Sequence, residues 1–283
     1  MSNSLKSTQY YKKLLELEDI KPSKKLGQNF IFDKNILNKI VSLLDSTSTD
    51  LVIEIGPGLG GLTEAMLDSG LKNILLIEKD KKFSNILRDI KSRYPKKLNL
   101  QFEDALNFDF SSLEFTNISI ISNLPYNVAT KILTKLLFEQ YHSKKFNKLI
   151  LMFQREVAER IVAKHSTKNY GRLSIISQYL YECSISFNLN PSIFYPKPKV
   201  ESSIVTFISK KIPSNLKIST LEQITRLSFN QRRKMIKSNL KDIIDEKTLR
   251  EVYDINPNTR PENISINDYI RISQLYEKLN ANN

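Results

Sequence analysis

LVIEIGPGLGGLTEAMLDSG, residues 51–70, is the stretch whose reading decides the fold. Residues 51–55 are a short apolar run of strand type, and Gly56, Gly58 and Gly61 follow it at G-x-G-x-x-G spacing. The residues after them carry a helical pattern that Gly70 stops. Glycines between a strand and a helix give this spacing weight, because a Cβ there would keep the backbone from turning tightly and approaching a ligand. The next apolar run, ILLI at 74–77, ends in Glu78, 20 positions after Gly58, where a ribose-binding carboxylate belongs. The pair points to an adenosine-containing cofactor. NAD and S-adenosylmethionine compete at this point, and a plain strand-to-helix turn beside a surface glutamate is the bland alternative.

Outward from there the alternation continues. ILNKIVSLL (36–44) predicts a helix with Asp33 as N-cap. LNLQFED (98–104), ISIISNLP (118–125) and KLILMFQ (148–154) predict strands, while VATKILTKLLF (128–138) and residues 155–164 predict helices. SISFNLN (184–190) and VESSIVTFI (200–208) alternate like antiparallel strands added at the edge. Strand and helix in succession predict an open, mostly parallel, doubly wound α/β sheet. KKIPSN (210–215) reads as a linker, so residues 1–212 are expected as one domain, with 1–20 an N-terminal extension, and 213–283 as a small all-helical one.

Lys and Arg number 43 against 30 Asp and Glu, a formal charge of +13. That excess points to a polyanionic partner, most simply nucleic acid, with compositional bias as the alternative. A single cysteine, Cys183, and two histidines, His142 and His165, give no zinc-ligand spacing and no metal site, and fit a reducing, cytoplasmic setting. No apolar stretch approaches the roughly 18 residues that a membrane helix needs.

In a doubly wound sheet the ligand crevice lies outside the carboxyl ends of the strands, so Gly56, Glu78 and Asp104 share one crevice. Asp104 can accept from the exocyclic amine of an adenine, or simply cap a helix. The fourth strand ends in Asn123-Leu124-Pro125-Tyr126, and this tetrapeptide decides the chemistry. An exocyclic amine of a base is a poor nucleophile because its lone pair is delocalised into the ring. Two acceptors, the Asn123 side-chain oxygen and a backbone carbonyl held outward by a turn stiffened at Pro125, can draw that nitrogen toward tetrahedral geometry while Tyr126 stacks on the ring. Phe194 is read equally as core or as a second wall for a flipped base. Arg155, Arg172, Lys197 and Lys199, with Arg232, Arg233 and Lys234 on a basic face of a C-terminal helix, read as an RNA-backbone footprint. The two histidines carry no catalytic pattern.

Beyond these four residues, the stretches LGQNFI (26–31), EIGPG (54–58), NLPYN (123–127), YGRLS (170–174), FYPKPKVES (194–202) and FNQRRK (229–234) stand in order. Together they resemble the KsgA (RsmA) family of ribosomal RNA adenine N6,N6-dimethyltransferases, from about residue 20 to beyond 240. The resemblance implies a Rossmann-like class I methyltransferase domain with a small helical C-terminal domain, S-adenosylmethionine as donor, and no metal. It implies as substrate two adjacent adenosines in the 3′-terminal hairpin loop of 16S rRNA in the 30S particle, during ribosome biogenesis. It also implies that Asn29, Ile31, Gly56, Gly58, Glu78, Asp104 and Asn123 contact the cofactor. Ile31 stands where the family usually has Leu, and Ala129 where it usually has Ser. The rivals are an Erm-type enzyme acting on 23S rRNA and a non-catalytic RNA-binding assembly factor. Nothing in the sequence requires more than a monomer.

Overall fold

The computed structural model describes residues 8–23, 26–45, 49–212, 216–253 and 255–281, without side chains at 251–253, so the linker read at 210–215 lies partly outside the described residues. Seven strands form one sheet in the order β4-β3-β2-β5-β6-β9-β7, where β2 is Leu51–Ile55, β3 Ile74–Ile77, β4 Leu98–Gln101, β5 Ile118–Ser122, β6 Phe146–Gln154, β7 Tyr181–Leu189 and β9 Ser202–Ser209. The pairs from β4 to β6 are parallel and β9 runs antiparallel to β6. β2, β3 and β5 are buried at every position, as parallel strands covered on both faces must be. Each fully buried Ile or Leu side chain there contributes about 1.5–3 kcal/mol relative to exposure.

The strand order reverses between β2 and β5, and that reversal opens the crevice at the carboxyl ends of the strands. The helix read at 36–44 is α2, Lys34–Val41, and Asp33 does cap it, accepting from the backbone N–H groups of Asn35 and Ile36. α3 (Gly61–Asp68) follows the glycine turn, α4 (Ser84–Arg93) links β3 to β4, and α5 (Tyr126–Ser143) starts at the N-L-P-Y turn.

Three elements escape the sequence reading. The residues taken as an extension include a helix, α1 (Thr8–Leu17), whose Tyr11 and Leu15 are buried in the core. Phe30–Ile31 forms a short strand, β1, antiparallel to β8 (Phe194–Tyr195), with Phe30 opposite Tyr195 and Ile31 opposite Phe194.

By contacts the chain divides into two compact units, Met1–Ala158 with Ser184–Ser209, and Glu159–Cys183 with Lys210–Asn283. This differs from the division expected at 212 by residues 159–183 and 210–212. Residues 159–183 group with the helices because α7 (Arg172–Leu180) packs its apolar side chains on α8 (Ile218–Asn230) and α11 (Ile266–Ala281). In the second unit the Phe229 ring lies 6.3 Å from Tyr170 and 6.0 Å from Tyr269. The only cysteine, Cys183, stands on β7. Burial, opposed in part by Lys210 and reinforced by Glu182, pushes its thiol up to about 12.

Candidate active site

The turn after β2 opens onto a cavity. Gly56 has φ +69°, and a Cβ placed on it would meet no atom within 4 Å, so backbone there faces open space. Gly58, at φ +55°, differs: its Cβ would lie 2.9 Å from Cε1 of Phe30. Only glycine lets the β1 segment close down on the turn. Asn29, Ile31, Gly56, Gly58, Glu78, Asp104, Asn123 and Pro125 all line this one cavity, which brings together every residue expected at the cofactor.

Glu78 ends β3 with both carboxylate oxygens engaged by backbone N–H groups, Gly58 at 3.0 Å and Asp80 at 2.7 Å. Burial raises its pKa to about 7 in spite of those donors. Asp104 behaves in the opposite way. Burial raises its pKa, but the Lys79 ammonium at 2.6 Å and the Leu106 N–H at 3.0 Å together hold it below the usual carboxylate range. Each Asp104 oxygen already has one donor and keeps a second lone pair for a ligand.

Asn123 is held from the side. Its Nδ2 donates to the Asn29 carbonyl at 2.8 Å, which turns the amide nitrogen toward the residue before β1 and leaves Oδ1 to accept. Pro125 is the N-cap of α5, and its own carbonyl accepts from Val128 and Ala129 N–H at 3.1 and 3.0 Å. The Pro125 carbonyl is therefore spent inside α5 and is not the outward acceptor expected from this turn. The Leu124 side chain is buried. Tyr126 is half-buried, its hydroxyl 2.6 Å from that of Ser202, and its ring lies outside the cavity lining.

Phe194 is 5% exposed and packs in the core cluster, which leaves its ring little free surface for a base. The basic residues are likewise not equivalent. Arg155 is ion-paired to Glu201 at 2.6 Å and Arg172 to Glu222. Arg232, Arg233 and Lys234 do not lie on a helix face as expected, but in the turn between α8 and α9 (Ile236–Leu240). Asn230 ends α8, and the Arg232 guanidinium then reaches back to the carbonyls of Lys168 at 2.9 Å and Tyr170 at 3.1 Å. Arg232 thus ties down the chain entering α7, whereas Lys197, Lys199, Arg233 and Lys234 are exposed.

Sequence reasoning missed two participants, Glu54 and Lys79. Glu54 lies in the middle of β2, 2% exposed, on the cavity wall. Burial, relieved in part by the Thr63 hydroxyl and reinforced by the nearby Glu78 charge, raises its pKa to about 8. A carboxylate inside an otherwise apolar strand is itself the signal. Gln28 donates to Asp80 at 2.9 Å and accepts from Ser23 N–H at 2.9 Å, pinning the start of the β1 segment to the end of β3.

The family model for ribosomal RNA adenine dimethylases matches residues 20–278. The chain is 39% identical over 258 residues to ribosomal RNA small subunit methyltransferase A of Zymomonas mobilis, covering 91% of this chain and 92% of that protein. To the protein of the same name from Pelagibacter ubique it is 37% identical over 262 residues, covering 92% and 98%. Among solved structures, a dimethyladenosine transferase from Plasmodium falciparum is similar with a TM-score of 0.73 and 26% identity, over 88% of this chain and 98% of that one. The 23S rRNA methyltransferase ErmE has a TM-score of 0.66 at 18% identity, over 88% and 99%, a likeness of fold.

Proposed function

The chain belongs to the ribosomal RNA adenine dimethylase family, and on that premise we propose that it uses S-adenosylmethionine to dimethylate N6 of two adjacent adenosines in the 3′-terminal hairpin loop of 16S rRNA. It acts as a monomer on 30S particles in the cytoplasm during ribosome biogenesis.

The observation that carries this reading is the pairing of an acidic cavity with the Asn123 amide. Glu54, Glu78, Asp80, Glu103 and Asp104 line the cavity, and the lysine among its described walls, Lys79, is taken up by Asp104. Such a lining suits a ligand carrying positive charge and hydroxyl donors. It would repel the diphosphate of NAD, which needs donors and cations around it. In this assignment Glu78 accepts the ribose hydroxyls and Asp104 the adenine amine. Backbone at Gly56 and Gly58 approaches the ligand closely, and Asn29 and Ile31 close over it from the β1 segment.

Bound there, the cofactor supplies a sulfonium methyl, an electrophile already activated by its charge. The chain's work is on the other reactant. Asn123 Oδ1 and the Leu124 carbonyl accept the two N6–H groups of the target adenine and restore a usable lone pair on nitrogen, while the Tyr126 ring stacks on the base. The Asn29 carbonyl keeps the amide in the accepting orientation. Stacking against Phe194 as well requires that ring to leave its core position. Loop adenines suit the site because they cost less to extrude than paired ones. Lys197, Lys199, Arg233 and Lys234 carry the phosphate contacts, with Arg155 and Arg172 joining them where their carboxylate partners let go.

The test is transfer of labelled methyl from S-adenosylmethionine to undermethylated 30S particles and, separately, to 23S rRNA, with the product base read by mass spectrometry. Dimethyladenosine at two neighbouring 16S positions is expected. Label confined to 23S rRNA makes the protein Erm-like, and RNA binding without label makes it a non-catalytic factor.

A further inference from the structure

β8 places two aromatic residues side by side with opposite fates. Successive side chains on a strand point to opposite faces. Phe194 turns into the core, and Tyr195 turns out to 41% exposure.

Tyr195 is backed from behind. Its ring lies 6.1 Å from that of Phe32 at an interplanar angle of 30°, and Phe32 stacks in turn on Tyr11 of α1 at 5.1 Å and 8°. Tyr11 is fixed by the hydrogen bond from its hydroxyl to Glu64, 2.8 Å, and Glu64 is ion-paired with Arg93 at 3.1 Å. Three rings therefore run from a braced helix to the surface and end in one open aromatic side chain. The Tyr195 hydroxyl makes no hydrogen bond among the described residues, so the exposed end of the ring does nothing for the fold.

One cation lies over it and two more follow it in the chain. Lys12 Nζ lies 5.5 Å from the ring centroid, and Lys197 and Lys199 are exposed in the residues that follow β8. A solvent-facing aromatic ring backed by other rings, with one lysine over it and two exposed lysines in the next four residues, has the chemistry of a single-stranded nucleic-acid seat: the ring takes a base face and the ammonium groups take phosphates. A protein or lipid partner would ask for a broader apolar surface than one ring.

The seat is also close to the reaction. Tyr195 stands opposite Phe30 in the β1–β8 ladder, and both Phe30 and Ile31 line the cavity. Directly paired residues on antiparallel strands lie only about 5 Å apart at Cα.

We propose that Tyr195 is a stacking seat for an unpaired nucleobase flanking the methylated adenosine, with Lys197 and Lys199 on the adjoining phosphates. This rests on the RNA methyltransferase reading above. Lys12, which lies over the ring in the free protein, moves aside onto the phosphate when the base arrives.

Two readouts test it in the full-length protein. One is the KM for undermethylated 30S particles in the labelled-methyl assay. The other is quenching of a single-stranded RNA hexamer carrying 2-aminopurine, measured without methyl transfer. Tyr195→Ala should raise KM and weaken quenching by between about 5-fold and about 150-fold, the range of one lost base stack, with kcat and cofactor affinity unchanged. Tyr195→Phe and Tyr195→Trp should restore both, since each keeps a π-face. Wild-type KM and quenching in Tyr195→Ala would overturn the seat while leaving the enzyme reading intact, and a Phe variant as weak as the Ala variant would replace stacking with a hydroxyl contact. Quenching that depends on Tyr195 in a protein that transfers no methyl would keep the seat and overturn the enzyme reading.

Discussion

Cofactor affinity should depend on pH through Glu78, and the size of the effect follows from its surroundings. The carboxyl has a pKa of about 7 in the free protein because burial outweighs the N–H donors from Asp80 and Gly58. The ionised form is the one that accepts ribose hydroxyls. At pH 6 about a tenth of the carboxyl is ionised and at pH 8 about nine tenths, so if only that form binds, Kd falls about tenfold between the two. Stability of the free protein moves the other way. The folded state holds this proton more tightly than the unfolded chain, so its contribution is full below pH about 4.5 and is lost as pH rises through about 7. Titration calorimetry with S-adenosylhomocysteine at pH 6, 7 and 8 measures the first effect. Glu78→Gln imitates the protonated carboxyl and should bind at every pH no better than the wild type at pH 6. Glu54, at about 8, adds a smaller slope at the alkaline end. A wild-type Kd constant from pH 6 to 8, or the full slope surviving in a folded Glu78→Gln, would refute this reasoning.

Two further outcomes bear on the other halves of the site. Asn123→Ala should lower single-turnover methyl transfer by about 10²-fold or more while RNA affinity, read by filter binding, stays within about threefold. Asn123→Asp should be as inactive and also bind cofactor less well, because a carboxylate oxygen then faces the Asn29 carbonyl where Nδ2 now stands at 2.8 Å. In the second unit, Arg232→Ala should cost about 1 kcal/mol in thermal unfolding by stripping donors from two backbone carbonyls. Arg233→Ala combined with Lys234→Ala should leave unfolding unchanged and flatten the salt dependence of RNA binding by between about 1.4 and about 1.8 in log–log slope.

The parallel sheet was legible because its strands are apolar on both faces, and because glycines at 56 and 58 and a glutamate at 78 stand at distances that a strand, turn and helix impose. Asn123 was legible as a cavity residue because it directly follows β5, inside the stretch read at 118–125 and at the carboxyl edge of the sheet. What stayed hidden depends on partners distant in sequence. Nothing near Asn123 says that the carbonyl of Asn29 turns its amide, and nothing near Arg232 says that it reaches 64 residues back to Lys168. A row of basic residues looks alike in sequence whether its charges are paired, as at Arg155, or exposed, as at Lys197. β1 and β8, at two residues each, are too short to show any period, and without their ladder the difference between Phe194 and Tyr195 is invisible.

The state of Cys183 sets what spectroscopy this protein allows. A thiol held near about 12 is almost wholly protonated at neutral pH, and maleimides and iodoacetamides react with thiolates. The native chain should therefore react slowly with such reagents at neutral pH, and a cysteine introduced at an exposed position without an assigned contact, such as Lys96, should be the fast-reacting group. A dye or spin label placed there reports on RNA docking without first deleting the native cysteine.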